Sequence, residues 1–196
     1  MNNILIAYSS NFRNLKLFQS KTSKLLDNLE NYSITALNDP NGLVESSFTS
    51  PTNLRINNKK SIREIKKILS DYQYAIFFWD GSEIEQYIYT ANILKIKSRT
   101  ISIETTKVAN KDKGEEYDIY IGRGTPWGNP FAIGDDGMSR EDVIEKYKAY
   151  FNETYLNDPK KLNELKSLKN KILGCHCKPA SCHGDIIATF LNSLES

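Results

Sequence analysis

Two short apolar runs, Ile4-Leu5-Ile6-Ala7-Tyr8 and Tyr74-Ala75-Ile76-Phe77-Phe78-Trp79, each stop at a polar turn and hand over to a segment of helical character. Unbroken runs of this length suit strands buried on both faces, which belong to parallel sheets covered by helices. After Ser9-Ser10-Asn11, Leu15, Phe18, Leu25, Leu26 and Leu29 recur at near-helical spacing, and Ser33 to Leu37 predicts a second strand. Residues 38–55 are rich in Asn, Pro, Ser and Thr and form the least regular stretch, while Ser61 to Leu69 reads as a helix with Ile62, Ile65, Ile68 and Leu69 inward. The second run ends at Asp80-Gly81-Ser82, followed by a helix from Glu83 to about Lys95 and a strand from Thr100 to Glu104. This alternation predicts an α/β fold with a Rossmann-like parallel sheet. Loops at the carboxyl ends of such strands form the binding crevice, which gathers Ser9, Ser10, Asp80, Gly81 and Ser82. Asp80-Gly81-Ser82 equally reads as a turn with a helix cap.

The polar, charged stretch from Thr106 to Glu116 predicts a linker between a domain at 1–105 and a second small α/β domain at 117–196. In the latter, Tyr117 to Ile121 predicts a strand and Ser139 a helix cap with Asp142 three residues on. That helix runs to about Leu156; Asp158-Pro159 starts another. Lys171 to Cys177 predicts a strand and Ser181 to Leu194 a last helix. No apolar run reaches the ~18 residues that span a bilayer, and Met1-Asn2-Asn3 lacks a basic leader, so the expectation is a cytoplasmic protein without membrane contact. A net charge of +2 gives no reason to expect nucleic-acid binding. Self-association into a homo-oligomer is left open.

Chemistry concentrates in two loops. Gly122-Arg123-Gly124-Thr125-Pro126-Trp127-Gly128-Asn129-Pro130-Phe131 combines glycines that allow close backbone approach, an arginine for a phosphate or carboxylate, and a tryptophan able to stack on a base. The plainer alternative is a rigid connection with Trp127 and Phe131 as core anchors and Arg123 in a surface ion pair. Both histidines and all three cysteines fall in Cys175-His176-Cys177-Lys178-Pro179-Ala180-Ser181-Cys182-His183-Gly184-Asp185. Strand alternation points Cys175 and Cys177 one way and His176 the other, so these three cannot share a metal. A zinc site of Cys175, Cys177, Cys182 and His183 would need unusual spacing, and no metal and no cofactor are assigned. The favoured reading places Ser181 and the N–H groups behind it at a helix start, as an anion cradle. There the dipole lowers the pKa of Cys182, His183 serves as acid or base, and Asp185 either orients it or serves as an N-terminal helix acid. Cys175 and Cys177 are read as structural.

Through the Ile121–Phe131 and Cys175–Asp185 motifs, residues 117–196 resemble a small family of uncharacterised domains found in bacteriophages and bacteria. Residues 1–105 resemble the SLOG superfamily of Rossmann-like domains, through Ile4–Tyr8 with Ser9-Ser10, Arg55-Ile56-Asn57-Asn58-Lys59, and Ile76–Ser82 before a helix containing Ala91. That resemblance implies a nucleotide-related ligand. Glu83-Ile84-Glu85 stands where Gly-Thr commonly follows, and the glycine-pair phosphate loop is missing, which degrades the backbone anion site.

These readings converge on a protein binding a small nucleotide or nucleotide-derived ligand between the two α/β units. Gly122, Arg123, Gly124 and Ser181 would hold phosphate, Trp127 and Asn129 base or sugar, and Ser9, Asp80 and Ser82 would contribute from the first unit. Hydrolysis or transfer at a glycosidic or phosphate bond would use Cys182 or Asp185 as nucleophile and His183 as acid or base. The alternatives are a non-catalytic phage protein that sequesters or senses a signalling nucleotide, of anti-defence type, and a zinc-stabilised interaction module.

Overall fold

The computed structural model describes residues 2–55 and 61–195; most of the lead-in at Arg55–Lys59 thus lies outside the described residues. The chain divides into two units, with Thr105 opening the second.

In the first unit, β1 (Asn2–Tyr8), α1 (Leu15–Leu26), β2 (Tyr32–Leu37), β3 (Thr52–Leu54), α2 (Ile62–Leu69), β4 (Tyr74–Trp79), α3 (Glu85–Ile93) and β5 (Lys97–Ser102) follow one another. The strands form a parallel sheet in the order β3-β2-β1-β4-β5. Alternation sorts the apolar runs onto two faces. Ile4, Ile6, Tyr8, Ile76 and Phe78 pack with Phe18 and Leu26 of α1, while Leu5, Ala7, Ala75 and Phe77 pack with Ile65 and Leu69 of α2 and Ala91 of α3. Trp79, partly buried, sits against the second of these cores, and its indole N–H finds no hydrogen-bond partner among the described residues. Strand order reverses between β1 and β4, so the switch point of the sheet lies between the turns after those strands.

The stretch that looks least regular is organised by one buried pair. The Tyr8 hydroxyl donates to Asp39 at 2.6 Å and accepts from the Asn41 N–H, while the Asp39 carboxylate takes the N–H groups of Val44 and Glu45.

The second unit contains β6 (Lys107–Asn110), β7 (Ile119–Tyr120), α4 (Arg140–Phe151), α5 (Pro159–Lys166), β8 (Ile172–Cys175) and α6 (His183–Ser193). A π-helical turn, Asn152–Leu156, extends α4. Its sheet is parallel in the order β6-β8-β7. Tyr147, Phe151, Tyr155, Leu165, Leu173, Ile187 and Leu191 form its core with Ile121.

The expected linker at 106–116 is corrected here: Lys107–Asn110 is an edge strand paired with β8, followed by a 3-10 turn at Lys111–Lys113. Buried Asn192 secures the entry to that strand, accepting from the Thr106 N–H and donating to the Thr106 carbonyl. Polar residues satisfied by backbone partners look like linker in sequence. Ser139 and Asp142 form a reciprocal capping box, and Asp158 caps α5 with Pro159 in its first turn. No described helix is long and apolar enough to cross a membrane.

Candidate functional site

Parallel strands send their following loops to one edge, and in the second unit the three carboxyl ends carry the chemistry. Asn110 of β6 registers with Cys175 of β8, and Tyr120 of β7 with Gly174 of β8. Residues immediately beyond these pairs are therefore neighbours although far apart in sequence. A cavity of about 460 Å³ opens at this edge. Arg123, Arg140 and Asn129 give it polar walls, Phe131, Ile133, Val143 and Ile144 apolar ones, and the Cys/His segment closes the inner side.

The rim holds a relay that the sequence did not reveal. His176 Nδ1 lies 2.7 Å from an Asp112 carboxylate oxygen, and Nε2 lies 2.7 Å from the Tyr120 hydroxyl. A carboxylate only accepts, so in the neutral ring Nδ1 carries the proton and Nε2 takes the Tyr120 O–H. Lys111 sits 4.7 Å from the Tyr120 ring centroid. His176 is the first residue beyond the end of β8 and meets Tyr120 and Asp112 from there. Those partners lie 56 and 64 residues away, beyond any local pattern.

Deeper in, the ligand atoms of Cys175, Cys182 and His183 lie within 4.8 Å of one another. His183 Nε2 stands 2.8 Å from the Ile121 carbonyl, which also only accepts, so in the neutral ring the proton is on Nε2 and Nδ1 carries the lone pair. The hydrogen bond with the Cys182 thiol lowers the Cys175 pKa, against burial and with help from His183. The same bond, together with burial, raises Cys182. This corrects the expected activation of Cys182 by the helix dipole. The residue is 1% exposed, and both its burial and the Cys175 bond favour the protonated thiol.

Other predicted roles also change. Asp185 accepts the Cys182 N–H at 2.9 Å and pairs with Lys178, so it secures the helix start, while the His183 Nε2 bond goes to Ile121. Ser181 precedes the cap residue, Cys182, and its carbonyl accepts from Arg140. With the Cys182 N–H taken by Asp185, the expected cradle loses a donor. Trp127 packs into the core with its ring centroid 5.8 Å from that of Tyr155, and it does not line the cavity. The Tyr147 hydroxyl donates to the Trp127 carbonyl, fixing the loop further. Arg123 and Asn129 do face the cavity, yet both also brace their own loop. Arg123 donates to the carbonyls of Asn129 and Phe131, and Asn129 Oδ1 accepts the Phe131 N–H. Gly122 lines the cavity and Gly124 occupies a left-handed conformation at φ +86°.

Ser9, Asp80 and Ser82 meet in the first unit. Ser9 Oγ accepts the Asp80 N–H, and Asp80 Oδ1 accepts both the N–H and hydroxyl of Ser82. Beside them the Glu83 carboxylate, from a residue at φ +61°, accepts the Ser10 N–H and hydroxyl. A side chain of the protein thus occupies the donors that an anion would use. The cavity described above is lined by second-unit residues, while Ser9, Asp80 and Ser82 belong to the first unit.

Residues 105–193 match the model of a Domain of unknown function (DUF4326), and residues 1–109 match that of the Minimal SLOG domain. An uncharacterised 12.4 kDa protein of the nrdA-td intergenic region of Enterobacteria phage T4 is 43% identical over 88 residues, which are 45% of this chain and 79% of the phage protein. With more than half its length under the SLOG model, the chain belongs to the minimal SLOG domain family, joined here to a DUF4326 domain.

Proposed function

We propose that the protein binds a nucleotide or nucleotide-derived ligand in the cavity of its second unit and hydrolyses or transfers at a glycosidic or phosphate bond. The observation that carries this reading is the composition of the cavity walls. Arg123 and Arg140 line the cavity together with the apolar side chains of Phe131, Ile133, Val143 and Ile144, in a volume of about 460 Å³. That suits a ligand with a charged end and a flat end, within the roughly 300–1,000 Å³ range of small-molecule sites. The SLOG domain at residues 1–109 supports a nucleotide-related ligand class.

Acid–base work falls to the relay at the rim. In it the Asp112 carboxylate holds the His176 tautomer, and Nε2 takes the proton of Tyr120 or of a water in its place. Cys182 and His183, both buried, bound the cavity from inside.

Calorimetry with ribonucleoside mono- and diphosphates tests binding, and mass spectrometry of small molecules retained by the purified protein identifies the ligand. Arg140→Ala should weaken nucleotide affinity about tenfold or more, as loss of a charge-assisted contact does. His176→Ala should leave affinity near the wild-type value and slow turnover about 10²-fold or more. No retained nucleotide and no heat of binding at millimolar concentration would reject the reading.

A further inference from the structure

The inner wall of the cavity carries donors that the ligand reading leaves idle. Cys175 ends β8, the middle strand, and Cys182 and His183 stand where α6 begins, so the intervening loop folds strand end against helix start. All three are buried, at 2%, 1% and 6% exposure, with ligand atoms inside 4.8 Å. The His183 ring is oriented from behind: Nε2 meets the Ile121 carbonyl, which only accepts, so in the neutral ring Nδ1 carries the lone pair, on the side where the ring meets the Cys175 thiol. A backbone carbonyl on one ring nitrogen is a common outer partner of a histidine whose other nitrogen binds a metal. Cys177 stands outside this 4.8 Å set, but it lines the same cavity and interacts with Cys175 and Arg140, so it is the nearest candidate for a fourth donor.

We propose that Cys175, Cys177, Cys182 and Nδ1 of His183 hold a zinc-class divalent cation in a tetrahedral site. Three thiolates and a neutral imidazole are a donor set of structural zinc centres, and bonds of about 2.0–2.3 Å place neighbouring donors roughly 4 Å apart. Cys175, Cys182 and His183 are already within 4.8 Å of one another, and the proposal requires the Cys177 side chain to turn toward them. Binding releases the thiol protons to solvent, with no change of oxidation state. Three thiolates around a divalent cation leave one net negative charge, which Arg140 beside Cys177 offsets. Spacing is no obstacle, because the chain reversal between Cys177 and Cys182 replaces the usual paired knuckles. His176 lies outside the set, committed to Tyr120 and Asp112. The bound cation would pin the 176–181 loop along the cavity wall, whatever ligand the cavity takes.

Elemental analysis of the full chain, produced without added metal, should find about one zinc per molecule. Cobalt exchanged into the site should give intense thiolate-to-cobalt charge-transfer absorption and tetrahedral ligand-field bands. Cys182→Ser and His183→Gln should each cut retained metal about tenfold or more, while His176→Gln should keep it. A wild-type protein that carries no zinc and gives no such cobalt spectrum overturns the proposal, whether or not the variants fold. Loss of metal in His176→Gln with retention in His183→Gln overturns it as well. Nucleotide binding is measured separately, so failure of either idea leaves the other standing.

Discussion

A methyl group at Gly122 would sit 1.9 Å from the Tyr120 hydroxyl, so this glycine keeps open the space in which Tyr120 reaches His176. Gly122→Ala forces the tyrosine ring aside, and ring displacement is less costly than backbone movement. Thermal melts should therefore show a loss of no more than about 1–3 kcal/mol. If the proposed turnover exists, it should fall by about 10²-fold, the same loss expected of His176→Ala, and NMR of the His176 ring should report the lost hydrogen bond. Gly128→Ala is a different case, because its methyl would meet the Gly122 carbonyl at 2.7 Å and the backbone itself must shift. The sequence made both glycines visible as close approaches but could not show what approaches. The neighbours are the protein's own tyrosine and backbone. Trp127 was ambiguous for the same reason, since a flat ring in a glycine-rich loop serves a base or a core equally well, and its contact with Tyr155 decides for the core.

The elements most legible in the sequence are those that carry their own punctuation. The capping box of α4 and the Asp158-Pro159 start of α5 stand where local chemistry puts them. The α4 box also has a pH signature. Hydrogen bonds from the Ser139 hydroxyl and N–H lower the Asp142 pKa. A carboxylate whose folded pKa lies below its unfolded one stabilises fully above the ordinary range near 4, and loses that contribution as pH falls through the folded value. Asp142→Asn should flatten this acid-side slope in urea unfolding followed below about pH 4, and change little at neutrality beyond a constant offset. β6 was illegible because its information lies in its partners: Ala109 and Asn110 are buried by pairing with a strand more than 60 residues away. The Cys/His segment was half legible. The expected strand to Cys177 ends at Cys175, so His176 reaches Tyr120 and Asp112 from the loop beyond it, and the return of α6 onto the strand end, which unites Cys175 with Cys182 and His183, is a tertiary event.

At the scale of the whole molecule, the break after Glu104 predicts where the chain can be cut. A fragment of residues 105–194 keeps β6, its pairing with β8 and the Thr106–Asn192 bonds, and should unfold cooperatively in calorimetry. A fragment beginning at 117, the boundary that composition alone suggests, exposes one edge of β8 and removes Asp112 from His176. It should melt broadly or not at all, and cooperative melting of both fragments would show that β6 is dispensable. The two tryptophans fall one to each unit, Trp79 against a core of the first and Trp127 in that of the second. The molecule thus carries its own pair of optical probes. Trp79, whose indole N–H finds no partner among the described residues, and Trp127, beside a tyrosine ring, sit in different surroundings. Fluorescence read from Trp79→Phe and Trp127→Phe chains separates the loss of one hydrophobic interior from the loss of the other.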